Sequence, residues 1–347
     1  MKTTTIGSYP KPDSMTLPGF IAKHPNPTAS YSKWLKTRSE EDIESALEGG
    51  RAIVREQVSC GIDIPTDGEA PREHYVYYHL RHIHGYDFEN LAERESRGGA
   101  WSPRVPVLRD AVRPGFAFLV KDWRNAQAAT EKPVKMTVPG PMTIGDSTVD
   151  EHFGDEKALA RALADTLNVE IRRLAEAGCQ HIQVDEPLFA RRPDAALDWG
   201  IECLERCFHG LPSSVARVMH MCCGYPSGLN MTDYPKADPQ AYFDLAGPLD
   251  DAQVDAVSIE DAHRHNDLAL LEKFTRSTVI LGCVDIANTR VEGVEEISGR
   301  LSNARRHIEP DRLIAAPDCG LAMLDRPTVV RKMTNLAEAA HGFDASA

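Results

Sequence analysis

The sequence predicts an α/β protein of the (β/α)8 TIM-barrel class, on three observations. Eight strand-sized runs recur along the chain. Most gaps between them hold a helix-length amphipathic segment. The 347 residues suit one barrel with insertions. Strand, helix, strand repeated in this way means parallel strands joined by right-handed crossovers. A doubly wound open sheet is the competing fold. Against it, no glycine-rich phosphate turn follows the first strand, only Gly7-Ser8-Tyr9-Pro10.

The eight runs are residues 3–8 (TTTIGS), 62–69 (IDIPTDGE), 134–141 (VKMTVPGP), 181–187 (HIQVDEP), 217–223 (RVMHMCC), 256–261 (AVSIED), 278–285 (TVILGCVD) and 313–320 (LIAAPDCG). The clearest helix is 157–177, where Leu159, Leu163, Leu167, Ile171 and Leu174 recur at steps of three or four, and Gly178 offers a left-handed stop. Residues 41–59 and 294–306 read the same way. Two segments break the rhythm. Residues 10–37, rich in Pro, Ser and Lys, read as a loop over the first strand. Residues 70–132 are too long for one connection and hold Tyr75, Tyr77, Tyr78, His79, His82, His84, Trp101 and Trp123. They have two readings: an extra helix and hairpin packed over the barrel end, or an active-site cover that supplies substrate contacts. No domain-sized linker or internal repeat is visible. The chain is therefore read as one barrel domain, 1–347, with 70–132 as an insertion.

Composition excludes several classes. A net charge of −13 argues against a nucleic-acid partner, which needs clustered Lys and Arg. The apolar runs are strand-sized, far short of the roughly 20 residues that span a bilayer, so no membrane partner is expected. Met1-Lys-Thr-Thr-Thr leads directly into an apolar run, without the pattern of a signal peptide. Eight cysteines in a chain this long are not a disulfide framework, and the expected setting is reducing and cytoplasmic. Cys60, Cys179, Cys203 and Cys207 fall in helical patterns or at their ends and read as buried spectators.

Four residues at strand ends can ligate one metal: His220, Cys222, Glu260 and Cys319. Side chains at i and i+2 of a strand share a face, so His220 and Cys222 point together while Met221 and Cys223 point away. Glu260 ends an otherwise apolar strand, where a carboxylate is costly to bury without a partner. Two thiolates, an imidazole and a carboxylate suit Zn2+ better than magnesium or calcium. With zinc such a set carries one net negative charge. It acidifies water poorly and holds a substrate thiol well, as a thiolate that stays nucleophilic. Free thiols titrate near ~8.5, so coordination makes the reactive form abundant at neutral pH. A structural zinc is the plainer alternative, but such sites favour closely spaced CxxC pairs, absent from these candidates.

Beyond this chemistry, the chain resembles the cobalamin-independent methionine synthase family. The likeness rests on residues 4–10 (TTIGSYP), Asp67-Gly68-Glu69, Pro139-Gly140-Pro141-Met142-Thr143, Gln183-Val184-Asp185-Glu186-Pro187, His220-Met221-Cys222, Ser258-Ile259-Glu260 and Pro317-Asp318-Cys319-Gly320. It covers the catalytic C-terminal barrel in its short, single-barrel form. The resemblance implies zinc on His220, Cys222, Glu260 and Cys319, and methyl transfer to the thiol of homocysteine. It also implies that Ile6, Gly7 and Ser8 hold the substrate carboxylate, and that Glu69 and Asp185 bind its ammonium. Charge logic agrees, since an α-amino acid offers one cation to two acids.

The departures concern the methyl donor. Folate-using members carry a tryptophan shortly after the Gly-Pro-x-Thr turn, where this chain reads Ile144-Gly145-Asp146-Ser147-Thr148. They carry a glutamate past Asp-Glu-Pro, where this chain reads Phe189-Ala190-Arg191-Arg192. They carry a histidine after Asp-Ile/Val, where this chain reads Asp285-Ile286-Ala287. Thiol activation is thus expected to persist with a donor other than methyltetrahydrofolate polyglutamate, a methyl-donating partner protein being one source. His263, His265 and Asp285 are the candidates for the missing acid. Two other functions compete: a thiol alkyltransferase of the epoxyalkane:coenzyme M transferase type, and a non-catalytic zinc-binding barrel.

Overall fold

Six parallel strands follow one another around a central axis in the order Lys135–Pro139, His181–Asp185, Ala216–Met221, Ala256–Ile259, Thr278–Val284 and Leu313–Pro317. The computed structural model describes residues 1–15, 17–18, 27–94, 104–226, 228–231 and 236–343. Single parallel bridges carry the order onward, from Ala315 to Thr3, from Thr4 to Ile64 and from Thr66 to Lys135. Backbone bonds accompany them: Ala315 N to Lys2 O at 3.0 Å, Ile64 N to Thr3 O at 3.0 Å and Lys135 N to Pro65 O at 2.8 Å. The ring therefore has the eight members of a (β/α)8 barrel.

The first two members pair by bridges because threonine and glutamine side chains replace part of the ladder. Thr4 Oγ1 donates to Ile64 O at 2.7 Å, Thr5 Oγ1 to Gln57 Oε1 at 2.6 Å, and Thr66 Oγ1 to Gly7 O at 2.8 Å.

Side chains alternate as the two-residue period requires. Ile6, Val218, Ala256, Ile280 and Ala316 form a small cluster inside the ring. Met219, Met221, Cys223, Val257 and Ile259 join the larger core under the helices. The helix Glu156–Ala177 supplies Leu163, Ile171 and Leu174 to that layer, all fully buried. Each such side chain contributes about 1.5–3 kcal/mol through burial. Asp155 caps this helix by accepting from Lys157 N and Ala158 N, and Gly178 ends it at φ 108°.

Within the insertion, strands Ile83–Glu93 and Arg104–Pro114 pair antiparallel, and Val149–Asp150 joins the second of them in parallel. Helices Tyr77–Leu80 and Leu119–Gln127 flank the hairpin. Trp101 lies outside the described residues.

Residues 10–37 depart from the expected loop, since Pro27–Thr37 is a helix. Tyr31 is buried with Leu17 and Tyr78, and Trp34 and Leu35 pack against them. Spacings of three and four put these three on one face. Pro27 sits at the helix start, where its missing N–H costs nothing. Among the described residues, no helix is long and apolar enough to cross a membrane.

Candidate metal and amino-acid site

His220 is the second-last residue of its strand and faces the interior two residues beyond Val218. Its neighbour across the ladder is Ser258, and Nδ1 lies 2.9 Å from the Ser258 hydroxyl. That contact leaves Nε2 to face the thiols, 3.4 Å from Cys319 Sγ. Cys222 follows the same strand with its side chain on the same face. The ligand atoms of His220, Cys222 and Cys319 all lie within 4.8 Å of one another. Two soft sulfurs and one imidazole nitrogen gathered this closely fit a soft divalent ion such as zinc.

The three groups interact strongly. The Cys222 thiol is held well below its ordinary range, first by its hydrogen bond with Cys319 and also by His220. Cys319 moves the opposite way, because its partner already carries the negative charge. Burial works against a charged imidazole at His220, but the bond and charge of Cys222 outweigh it and raise its pKa.

The fourth expected ligand is held differently. Glu260 is buried, and burial and the charge of Cys222 push its pKa up. Its Oε1 lies 2.6 Å from Lys236 Nζ, and both side chains are almost fully covered. Among the described residues, the group within 4.8 Å comprises His220, Cys222 and Cys319, without Glu260.

The expected amino-acid contacts converge beside the thiols. A Cβ on Gly7 would stand 2.9 Å from Glu69 Oε1, so a larger residue there would displace that carboxylate. Glu69 itself has φ 55°, a left-handed turn entered from Gly68 at φ 65°. Thr137 Oγ1 donates to Glu69 Oε1 at 3.2 Å. Gln183 Nε2 donates both to Ile6 O and to Asp185 Oδ1, at 2.7 Å each, tying the first strand to the second acid. Ser8 Oγ faces Gly320, whose absent Cβ leaves room for it next to Cys319. Burial raises Glu69 to about 7 and Asp185 to about 6. The buried Arg72 guanidinium, 3.6 Å from Glu69 Oε1, offsets only part of this cost, so two desolvated carboxylates at one cleft still favour a further cation.

The three candidate acids separate. His263 Nδ1 lies 3.5 Å from Asp285 Oδ1, with both side chains about four-fifths covered. His265 is 64% exposed, its Nδ1 2.8 Å from Asp261 O. Near Ile144–Thr148 and Phe189–Arg192, Asp146 is flanked by Arg191 at 3.5 Å and Arg94 at 3.8 Å. Ala287 is buried.

Sequence reasoning missed several partners. Ser258 had a signal, being two residues before Glu260 on the same face. Asp318 had one in its place before Cys319: its carboxylate accepts from the N–H groups of Asp261, Ala262 and His263 at 2.7–2.8 Å. This joins the loop after Glu260 to the one that presents Cys319. Lys236 had none. Tyr225, which donates to Gly320 O at 3.1 Å, lies in an irregular stretch with no periodicity. Cys60, Cys179, Cys203 and Cys207 are buried, and burial raises each thiol out of the reactive range.

The family profile described as "Cobalamin-independent synthase, Catalytic domain" matches residues 1–342. A methionine synthase of Thermococcus kodakarensis is 30% identical, over 97% of this chain and 92% of its own. One from Sulfolobus acidocaldarius is 27% identical over 97% and 91%. Among solved structures, a B12-independent methionine synthase from Shewanella sp. W3-18-1, in complex with selenomethionine, superposes with a TM-score of 0.87. It is 29% identical and covers 99% of this chain and 98% of that one.

Proposed function

Because this chain belongs to the cobalamin-independent methionine synthase family, we propose that it methylates the thiol of homocysteine at a zinc site formed by His220, Cys222, Cys319 and Glu260. The observation that carries this reading is the approach of His220, Cys222 and Cys319 to within 4.8 Å beside buried Asp185 and the largely covered Glu69. A zinc ion held there supplies the positive charge that keeps a substrate thiol deprotonated at neutral pH.

The remaining roles fall to the chain itself. Glu69 and Asp185 take the substrate ammonium, which replaces their lost hydration. Ser8 and the backbone of Ile6 and Gly7 take the carboxylate. Held at three points, the sulfur is confined beside the metal ligands, and confinement replaces a rare collision with a positioned attack. His263, paired with Asp285, is the acid for the departing group, with exposed His265 set aside. Tyr75 brings the insertion to this cleft: the charges acting on it are those of Cys222, Asp185, Arg191 and Cys319. Residues 70–132 thus act as a cover over the substrate.

The donor is a methyl carrier other than folate polyglutamate, free or delivered by a partner protein. The support is the charged pair Asp146 and Arg191, at positions where a pterin needs an aromatic face. The acids also disfavour the coenzyme M reading, since a sulfonate thiol brings no ammonium.

The test incubates zinc-loaded protein and homocysteine with methyltetrahydrofolate (mono- and triglutamate), methylcobalamin and S-methylated donors. Methionine should form with a non-folate donor and not in Cys319→Ser. Fast turnover with the folates would remove the donor assignment. A fully active, zinc-replete Cys319→Ser would remove the site.

A further inference from the structure

The ion pair between Lys236 and Glu260 has a place in this site that ligand geometry alone does not give it. Lys236 Nζ is 2.6 Å from Glu260 Oε1, with side-chain exposures of 7% and 6%. Glu260 is held from its other sides as well. Its N–H donates to Tyr242 Oη at 3.3 Å, and its carbonyl accepts from Asn266 Nδ2 at 2.7 Å. The backbone is therefore fixed, and the carboxylate has a cation in direct contact with it.

We propose that Lys236 is a place-holding cation, which occupies Glu260 when the metal is absent and competes with the metal for that carboxylate when it arrives. This rests on the reading of His220, Cys222, Glu260 and Cys319 as a metal site. Without a cation, the buried Glu260 carboxylate would be an uncompensated charge, which is strongly destabilising. Lys236 removes that cost from the metal-free protein. Once a divalent ion binds, the same ammonium repels it and shares its ligand. One residue thus stabilises the empty site and weakens the filled one, so the metal is held less tightly than its donor set alone would dictate. By linkage, whatever stabilises only the metal-free state lowers metal affinity.

The experiment uses the full chain and zinc, with affinity read by competition against a chromophoric chelator and melting temperature read with and without the ion. Lys236→Met should bind zinc about tenfold or more tightly than wild type, on the scale of losing one partly buried like-charge contact. It should melt lower than wild type when metal-free, with the gap closing when zinc is bound. Lys236→Arg keeps the charge and should stay within about threefold of wild type. In Lys236→Met with Glu260→Gln the affinity gain should vanish. A merely structural lysine would lower both stability and affinity on removal, so unchanged or weaker zinc binding in Lys236→Met overturns the inference. If Lys236→Met does not fold, Lys236→Gln provides the same comparison. Should wild type bind no zinc, or bind it equally in Cys319→Ser, the metal site itself fails. Should wild type bind through Cys319 while Lys236→Met is unchanged, only the role of Lys236 fails.

Discussion

The ring of His220 is oriented by Ser258: Nδ1 and the serine hydroxyl are 2.9 Å apart across two paired strands, which turns Nε2 toward Cys319. A ligating histidine gains from such a partner, because the second contact fixes tautomer and angle before the metal arrives.

Ser258→Ala should therefore lower zinc affinity by about tenfold to a hundredfold while leaving the fold intact. Chelator competition measures the first, and the thermal transition of the metal-free protein the second. Equal affinity in the variant would mean that the strand backbone alone aims the ring.

Glu69 and Asp185 give opposite pH trends for binding and for stability. Burial raises Glu69 from the ordinary 4.5 to about 7, and Asp185 from 3.8 to about 6. Both must be ionised to receive an ammonium, so homocysteine affinity should fall as the pH drops through 7 and then 6. The ligand-free fold responds the other way. Between their ordinary and raised values the native state binds more protons than the unfolded chain, so stability rises as pH falls across roughly 7 to 4. Glu69→Gln should weaken homocysteine by about tenfold to a hundredfold. It should also raise the melting temperature at pH 8, where a desolvated charge has been removed. Calorimetric titration and a melting series from pH 5 to 8 test both trends. A Glu69→Gln variant with native affinity would take the ammonium site away from Glu69.

The legible parts of this molecule are those with a short period. The strand runs are buried on both faces, so they read as continuous apolar stretches, and the two-residue alternation sorted His220 and Cys222 from Met221 and Cys223. The helix Pro27–Thr37 was hidden because Tyr31, Trp34 and Leu35 are diluted by Ser, Thr and Lys, and its face is set by a small cluster with Leu17 and Tyr78. Lys236 was illegible for another reason. Its partner is 24 residues away, beyond the helix Gln240–Asp251 and the strand Ala256–Ile259, and no propensity records a pairing of that kind. Ligand type thus showed that a carboxylate belongs near the thiols, but not which cation holds it.

The far end of the barrel depends on a half-buried carboxylate. Asp63 accepts from Thr3 N at 3.0 Å, Thr3 Oγ1 at 3.1 Å and Lys132 Nζ at 3.1 Å, and His341 Nε2 lies 2.8 Å from its Oδ2. One side chain thereby joins the starts of the first two strands, the approach to the third and the end of the helix Arg326–His341. Burial pushes its pKa up, but the bonds from His341, Lys132 and Thr3 outweigh this and leave it lowered. The sign follows: its contribution is present above the ordinary carboxyl value and is lost as the pH falls through the lowered one. Asp63→Asn keeps the shape and loses the charge, so it should destabilise the protein by about 1–3 kcal/mol at pH 7. The difference should shrink toward pH 3. Homocysteine and zinc affinities should stay at wild-type values, because Glu69, Asp185 and Cys319 sit at the opposite ends of their strands. Melting curves at both pH values and the two binding assays check this. A loss of zinc or homocysteine binding in Asp63→Asn would show that closure at the strand starts sets the geometry at the strand ends.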